Sequence, residues 1–340
     1  MLDGHRRLTI FSGCLYVAIS TYAPLVLAAP APAPPPPSPK VVFDRKAGRK
    51  TYAQMSANER RADDLRAESE SFMRRGNFDQ AREILLRAVK LDPNSPGIYF
   101  ALGRSSYNTL ERFGKGVDEA EKYFKKAISL DPGRGTYYVK LAELEVIRGH
   151  HQKAIDYCNQ SLACKYKDGD AFYFRAISYS ALGKTDLAVA DINRQIEYSK
   201  TTANDIGVGK FRSYDAKASI LENAGKFGDA LAAYKELYAM NGQDSFIFRQ
   251  AECLTKMGKF LEATQILSTL LKKNPHDEAA YAARARIYMK MHDYPRAEQD
   301  FTSSIDELPS GRTYRERAEV YKKMGKMDLY RRDLQTAENP

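Results

Sequence analysis

A pattern of small and aromatic residues returns about every 34 residues from Ala62 to the C-terminus, and it restricts what this chain can fold into more than any other feature. Each repeat is anchored on a glycine, with an alanine five residues on and a proline twelve after that: Gly76, Ala81 and Pro93, then Gly258, Ala263 and Pro275 at identical spacing. Gly149 with Ala154, Gly183 with Ala188, and Gly225 with Ala230 keep the first two marks, while His292, Ala297 and Pro309 replace only the glycine. A chain built this way needs no single large core. Each unit can bury its apolar stripe against its neighbours, so that stability sums along a stack.

Ahead of each turn an aromatic or leucine is followed four positions later by a small residue and then by another aromatic or leucine. Phe172, Ala176 and Tyr179 show it, as do Tyr281, Ala285 and Tyr288, and Tyr314, Ala318 and Tyr321. That spacing marks one face of a helix. A second stripe follows the turn, such as Ala81, Leu85 and Ala88, or Ala263, Leu267 and Leu270. Small residues at fixed places let two helix backbones approach, while the aromatics fill the groove beside them.

Two amphipathic helices in a period of this length resemble the tetratricopeptide repeat family, over about four fifths of the chain. The resemblance implies an all-α fold, a right-handed superhelical solenoid of about eight helix-turn-helix repeats in residues 62–340. Units start near Ala62, Pro96, Gly135, Gly169, Phe211, Asp244, Glu278 and Gly311. The last has Tyr330 where alanine is usual and a second helix rich in Arg331, Arg332, Asp333 and Gln335, which suits a terminal cap facing water.

Interruptions of the phase are also informative. Asn108 to Gly116 lengthens the turn inside the second unit, and Ala203 to Lys210 separates the fourth unit from the fifth. Such insertions map to loops and sometimes to binding faces. The third and fourth units have Tyr166 and Lys200 in place of the closing proline, which predicts looser junctions there.

Residues 1–29 read as a signal peptide or membrane anchor. His5, Arg6 and Arg7 precede an apolar stretch from Leu8 to Ala29 that ends in small residues, and the stretch is nearly long enough to span a bilayer. Basic residues ahead of it favour a repeat array outside the cytoplasm over a cytoplasmic one. Residues 30–61 form a linker. The prolines up to Pro39 favour a stiff polyproline II spacer, and the following run with Lys40, Arg45, Lys46, Arg49, Lys50, Arg60 and Arg61 is compatible with an anionic membrane surface.

The formal net charge of +10 raises the question of nucleic acid. Lysine and arginine are interleaved with glutamate and aspartate in every unit rather than gathered in one stripe, which argues against that partner. Cys158, Cys164 and Cys253 show no ligand or disulfide spacing, and Cys158 falls on a core stripe. Gly183, Lys184 and Thr185 read like the end of a phosphate-binding loop, but Ser178 stands where its first glycine belongs and the segment is an inter-helix turn. His150, His151, His276 and His292 fall in turns. No catalytic constellation, metal site or cofactor is expected, and the chain does not read as an enzyme.

Function then falls to surface. In the family that the chain resembles, the first helix of each unit lines a concave groove that holds peptides or partner helices. The second, fifth, ninth and twelfth positions of units two to four give Phe100, Arg104, Tyr107, Val139, Glu143, Val146, Tyr173 and Ile177, an apolar patch with a few charges. One apolar peptide side chain buried there would contribute about 1.5–3 kcal/mol, with Arg104 or Glu143 setting orientation. Units six to eight present Glu252, Arg286, Met289, Arg312, Arg315, Glu319 and Lys322, a surface that an acidic segment would suit. No asparagine stands at the sixth or ninth positions, which excludes the carboxylate clamp of chaperone-binding members. The reading is a non-catalytic scaffold or adaptor that binds a peptide or partner protein in the groove. The alternative is a structural component of a cell-envelope assembly that uses its outer faces.

Overall fold

The computed structural model describes residues 52–108, 115–165, 168–201 and 208–338, all within the compact unit Val42–Pro340. The apolar stretch 8–29, the proline tract and the basic run up to Lys50 lie outside the described residues, as do Tyr166, residues 109–114 and residues 202–207.

Among the described residues every regular element is helical. After a short 3-10 turn at Tyr52–Gln54, the helices pair as α1 (Ala57–Arg74) with α2 (Phe78–Leu91), α3 (Pro96–Asn108) with α4 (Lys115–Leu130), α5 (Gly135–Ile147) with α6 (His151–Ala163), and α7 (Asp170–Ala181) with α8 (Thr185–Thr201). Four more pairs follow: α9 (Val208–Asn223) with α10 (Phe227–Asn241), α11 (Ser245–Lys256) with α12 (Phe260–Lys273), α13 (Glu278–Lys290) with α14 (Tyr294–Glu307), and α15 (Gly311–Lys323) with α16 (Met327–Glu338). Each helix packs on its partner, and each second helix up to α14 packs on the first helix of the pair that follows. This is the expected all-α solenoid of eight helix-turn-helix units.

Local chemistry sets the ends of these helices. Ser56 and Glu59 form a reciprocal capping box at the start of α1, so Arg60 and Arg61 belong to a helix rather than to the linker. Helices α2, α12 and α14 stop two residues before Pro93, Pro275 and Pro309, because a proline disfavours helical backbone at the residue ahead of it. With Lys200 in the closing position, α8 instead runs on to Thr201. Val208 to Lys210, expected in an insertion, lie in the first turn of α9.

Where the turn inside a pair is described, the chain passes through one left-handed residue. Gly258, for example, has φ +75°, and the N–H of Lys259 donates back to the carbonyl of Leu254 at 2.8 Å. This satisfies carbonyls that the helix end leaves open. His292 takes the same conformation with φ +59° and is the non-glycine residue that does so among those described.

The small residues lie where helices touch. Ala81, Ala120, Ala154, Ala188, Ala230, Ala263 and Ala297, one on each even-numbered helix up to α14, are 0 % exposed. At Gly103 the approach is closer still, since an added Cβ would lie 2.4 Å from the Phe124 ring.

A second device repeats beside these contacts. Arg284 on α13 holds Asp300 on α14 with two bonds, both 2.7 Å, and its third nitrogen reaches back to Ser268 on the preceding α12 at 2.8 Å. Arg317 does the same with Asp333 (2.8 and 3.0 Å) and with Thr302 of α14 (3.0 Å), and Arg175 with Asp191 (2.6 and 2.9 Å) and Asn159 of α6 (2.6 Å). One guanidinium thereby ties its own second helix to that of the preceding unit. Aromatic rings flank it, Tyr281 beside Arg284 and Tyr314 and Tyr321 beside Arg317.

No helix among the described residues is long and apolar enough to cross a membrane. The expectation of a transmembrane protein is corrected accordingly. The helices here alternate charged and apolar faces because they bury one stripe against protein.

Two outcomes test this packing. Arg284→Ala leaves Asp300 buried without its cation and costs about 3 kcal/mol, whereas the pair Arg284→Met with Asp300→Leu recovers most of that loss; urea unfolding measures both. His292→Gly relieves the left-handed strain and raises stability by about 0.5–1 kcal/mol, read as a higher melting temperature.

Candidate interaction face

Polar contacts trace a face along the odd-numbered helices. Arg104 on α3 bonds Glu70 on α1 at 2.9 and 3.2 Å. The Tyr107 hydroxyl lies 3.3 Å from Glu143 on α5, whose other oxygen takes Lys140 at 2.7 Å. Arg212 on α9 reaches Asp170 on α7 at 2.8 Å and stands 4.2 Å above the Tyr173 ring. Arg249 on α11 bonds Glu222 on α9 at 2.9 Å, and Glu222 also accepts from Tyr234 at 2.5 Å. Burial first and the bond to Glu222 next push the Tyr234 hydroxyl's pKa up. Arg286 on α13 bonds Glu316 on α15 at 2.9 Å, and Arg312 takes the other oxygen of Glu316 at 3.0 Å.

The ion pairs among these groups are partly open to solvent, so each adds at most about 1 kcal/mol. Their effect is electrostatic. A charge from one unit is met by the next, which leaves the early part of the face nearly neutral.

The residues expected in an apolar groove take varied places. Phe100 packs between Phe124 and Tyr137, with ring centroids 5.8 and 5.1 Å away, and so joins the second unit to the third. Val139 is 1 % exposed among Ala142, Cys158, Ala171 and Phe174, so it is a packing residue and is withdrawn from the groove set. Val146 and Ile177 are half-buried against neighbouring clusters, and Arg212 covers one face of Tyr173. First helices α5 and α7 pack directly on each other, which draws these side chains inward. Arg104 and Glu143, expected to orient a ligand, already have partners. The sequence reading missed Glu70, Arg212, Glu222 and Arg249, which complete the contacts from unit to unit.

At the far end the balance changes. Arg286 and Arg312 share the one carboxylate of Glu316, Arg315 is exposed, and Lys322 is exposed beside the Tyr330 ring. Glu319 is the exposed acid among them.

Bond-making chemistry finds little support. Burial pushes the Cys158 thiol up to about 12 and Cys253 up to about 11, so both stay protonated and unreactive at neutral pH. Burial, and then the neighbouring His150, lower the pKa of His151. Among the described residues no group of histidine, cysteine and carboxylate side chains could hold a metal ion. Gly183 and Lys184 lie in the turn between α7 and α8, and Thr185 starts α8, in whose first turn Asp186 is bonded by Lys226 at 2.7 Å.

Comparison with known proteins agrees. Tetratricopeptide repeat models match residues 70–109, 97–134, 223–287 and 254–300. The DnaJ homolog subfamily C member 3 of Bos taurus is 25% identical over 199 residues, which cover 56% of this chain and 40% of that protein. Its Homo sapiens counterpart is 21% identical over 286 residues, covering 76% of this chain and 56% of its own. The chain thus spans about half the length of these curated relatives. The crystal structure of PilW, a type IV pilus biogenesis factor, superposes with a TM-score of 0.53 at 19% identity over 63% of this chain and 94% of that one, a likeness of fold. The matched stretches and the eight helix pairs show tetratricopeptide repeats in this chain, a fold that serves contact between proteins rather than catalysis.

Proposed function

We propose that this protein is a non-catalytic adaptor that holds an acidic segment of a partner protein against the face of its odd-numbered helices, at the α13 and α15 end. The observation that carries the reading is the surplus of cations there: Arg286, Arg312, Arg315 and Lys322 stand against Glu316 and Glu319. Two guanidiniums on one carboxylate leave a positive charge that a ligand carboxylate can meet with a charge-assisted bond. The earlier face offers less, because its cations are paired and its aromatics pack internally. Basic residues followed by an apolar stretch ending in Ala28 and Ala29 support export of the protein, and the mass of the mature N-terminus tests that part.

Fluorescence anisotropy with a synthetic peptide set, matched in length and rich in glutamate, neutral or rich in lysine, tests the site. Glutamate-rich peptides should bind best, weaken with salt, and lose about tenfold or more in affinity with Arg312→Glu and Arg315→Glu together. The outer-face control Lys122→Glu with Lys126→Glu should bind as before. Equal binding of all three peptide classes, or undiminished binding by the Arg312 and Arg315 variant, contradicts the reading.

A further inference from the structure

The position held by the arginines that tie successive second helices together is filled in other ways elsewhere. Leu102 and Leu141 occupy it as buried apolar residues, and Gln250 is buried with its amide donating to the Tyr234 carbonyl at 3.4 Å. At the junction of the fourth and fifth units it is Lys217, half-buried, and the residue where the others have aspartate is Ala233. Asn193 remains in the place of Asn159, which accepts from Arg175 one junction earlier.

At this junction a gap is left open. A crevice of ≈ 220 Å³ lies between α8, α9 and α10, lined by Val189, Asn193, Lys217, Asp229, Ala233 and Glu236, among others. Among the described residues Asn193, Lys217 and Glu236 make no hydrogen bond or ion pair, and Asp229 only feels the charge of Lys226. Asp229 and Glu236 are seven residues apart on α10 and so rise from one face of it. The lining carries two carboxylates and one ammonium, a formal charge of −1, and Asn193 adds an amide acceptor.

We propose that this crevice receives an arginine side chain of a partner protein, whose guanidinium takes the place that Arg175, Arg284 and Arg317 occupy from within at their own junctions. The aliphatic stem lies against Val189 and Ala233, and the guanidinium meets the acceptors of Asn193, Asp229 and Glu236. Arginine is the occupant because its planar fork reaches two helices at once, as the internal examples do. A carboxylate would face two like charges across the opening. The site lies among α8, α9 and α10, apart from α13 and α15, and stands or falls independently of the acidic-segment reading.

The test uses the full chain with methyl-labelled alanine and two blocked tripeptides as probes, acetyl-Gly-Arg-Gly-amide and acetyl-Gly-Glu-Gly-amide. The arginine peptide should produce saturable shifts at Ala232 and Ala233 with millimolar affinity, weakened about fivefold or more by Asp229→Asn with Glu236→Gln and tightened by Lys217→Met. Lys217→Arg with Ala233→Asp rebuilds the internal tie. That variant should melt at a higher temperature and lose the shifts. Three results overturn the proposal: no saturable shift with the arginine peptide up to tens of millimolar, preferred binding of the glutamate peptide that Lys217→Met removes, or undiminished arginine binding by the rebuilt variant.

Discussion

Everything in this fold depends on how closely one helix can approach the next. Seven alanines with no exposed surface, from Ala81 to Ala297, sit where second helices meet first helices, and Gly103 lets the Phe124 ring come closer than any side chain would permit. At such distances a single added methyl group forces rotamers or backbone to shift, at a cost of about 1–3 kcal/mol. Close approach also turns large side chains outward, toward the next unit, where they become the contacts that propagate the stack. Phe100 shows this, since it packs both on Phe124 of its own helix pair and on Tyr137 of the following one.

The architecture was legible because the same physical demand recurs at a fixed period. The glycine of each inter-helix turn answers a left-handed backbone, and the alanine after it answers a contact, so both recur together. Even the exception was informative, as His292 replaces the glycine and keeps the conformation. Helix ends were less legible. Proline marked the stops of α2, α12 and α14, but nothing equivalent announced that α8 would continue to Thr201 or that α1 would begin with the Ser56 and Glu59 box.

The face of the odd-numbered helices was legible in position and not in chemistry. Counting from unit starts placed Arg104, Glu143 and Arg286 on it, but counting cannot show that a charge is met by one in the adjacent unit, since Glu70 and Arg104 lie 34 residues apart. Val139 failed for a related reason: direct packing of α5 on α7 closes over a position that the pattern leaves open. The arginine ties had a signal that went unread. Arg175 with Asp191, Arg284 with Asp300 and Arg317 with Asp333 share one separation, 16 residues, in three units.

Arginine therefore stands in two settings in this protein. Largely buried guanidiniums tie second helices together, and more exposed ones at the α13 and α15 end are those proposed to meet a partner's acidic segment. Nitrogen-15 spectra of the arginine side chains distinguish the two most directly during titration with a glutamate-rich peptide. The account predicts that the Nε–H signals of Arg286, Arg312 and Arg315 move while those of Arg175, Arg284 and Arg317 stay. Stationary signals from the first three, at peptide concentrations that saturate binding, would contradict it.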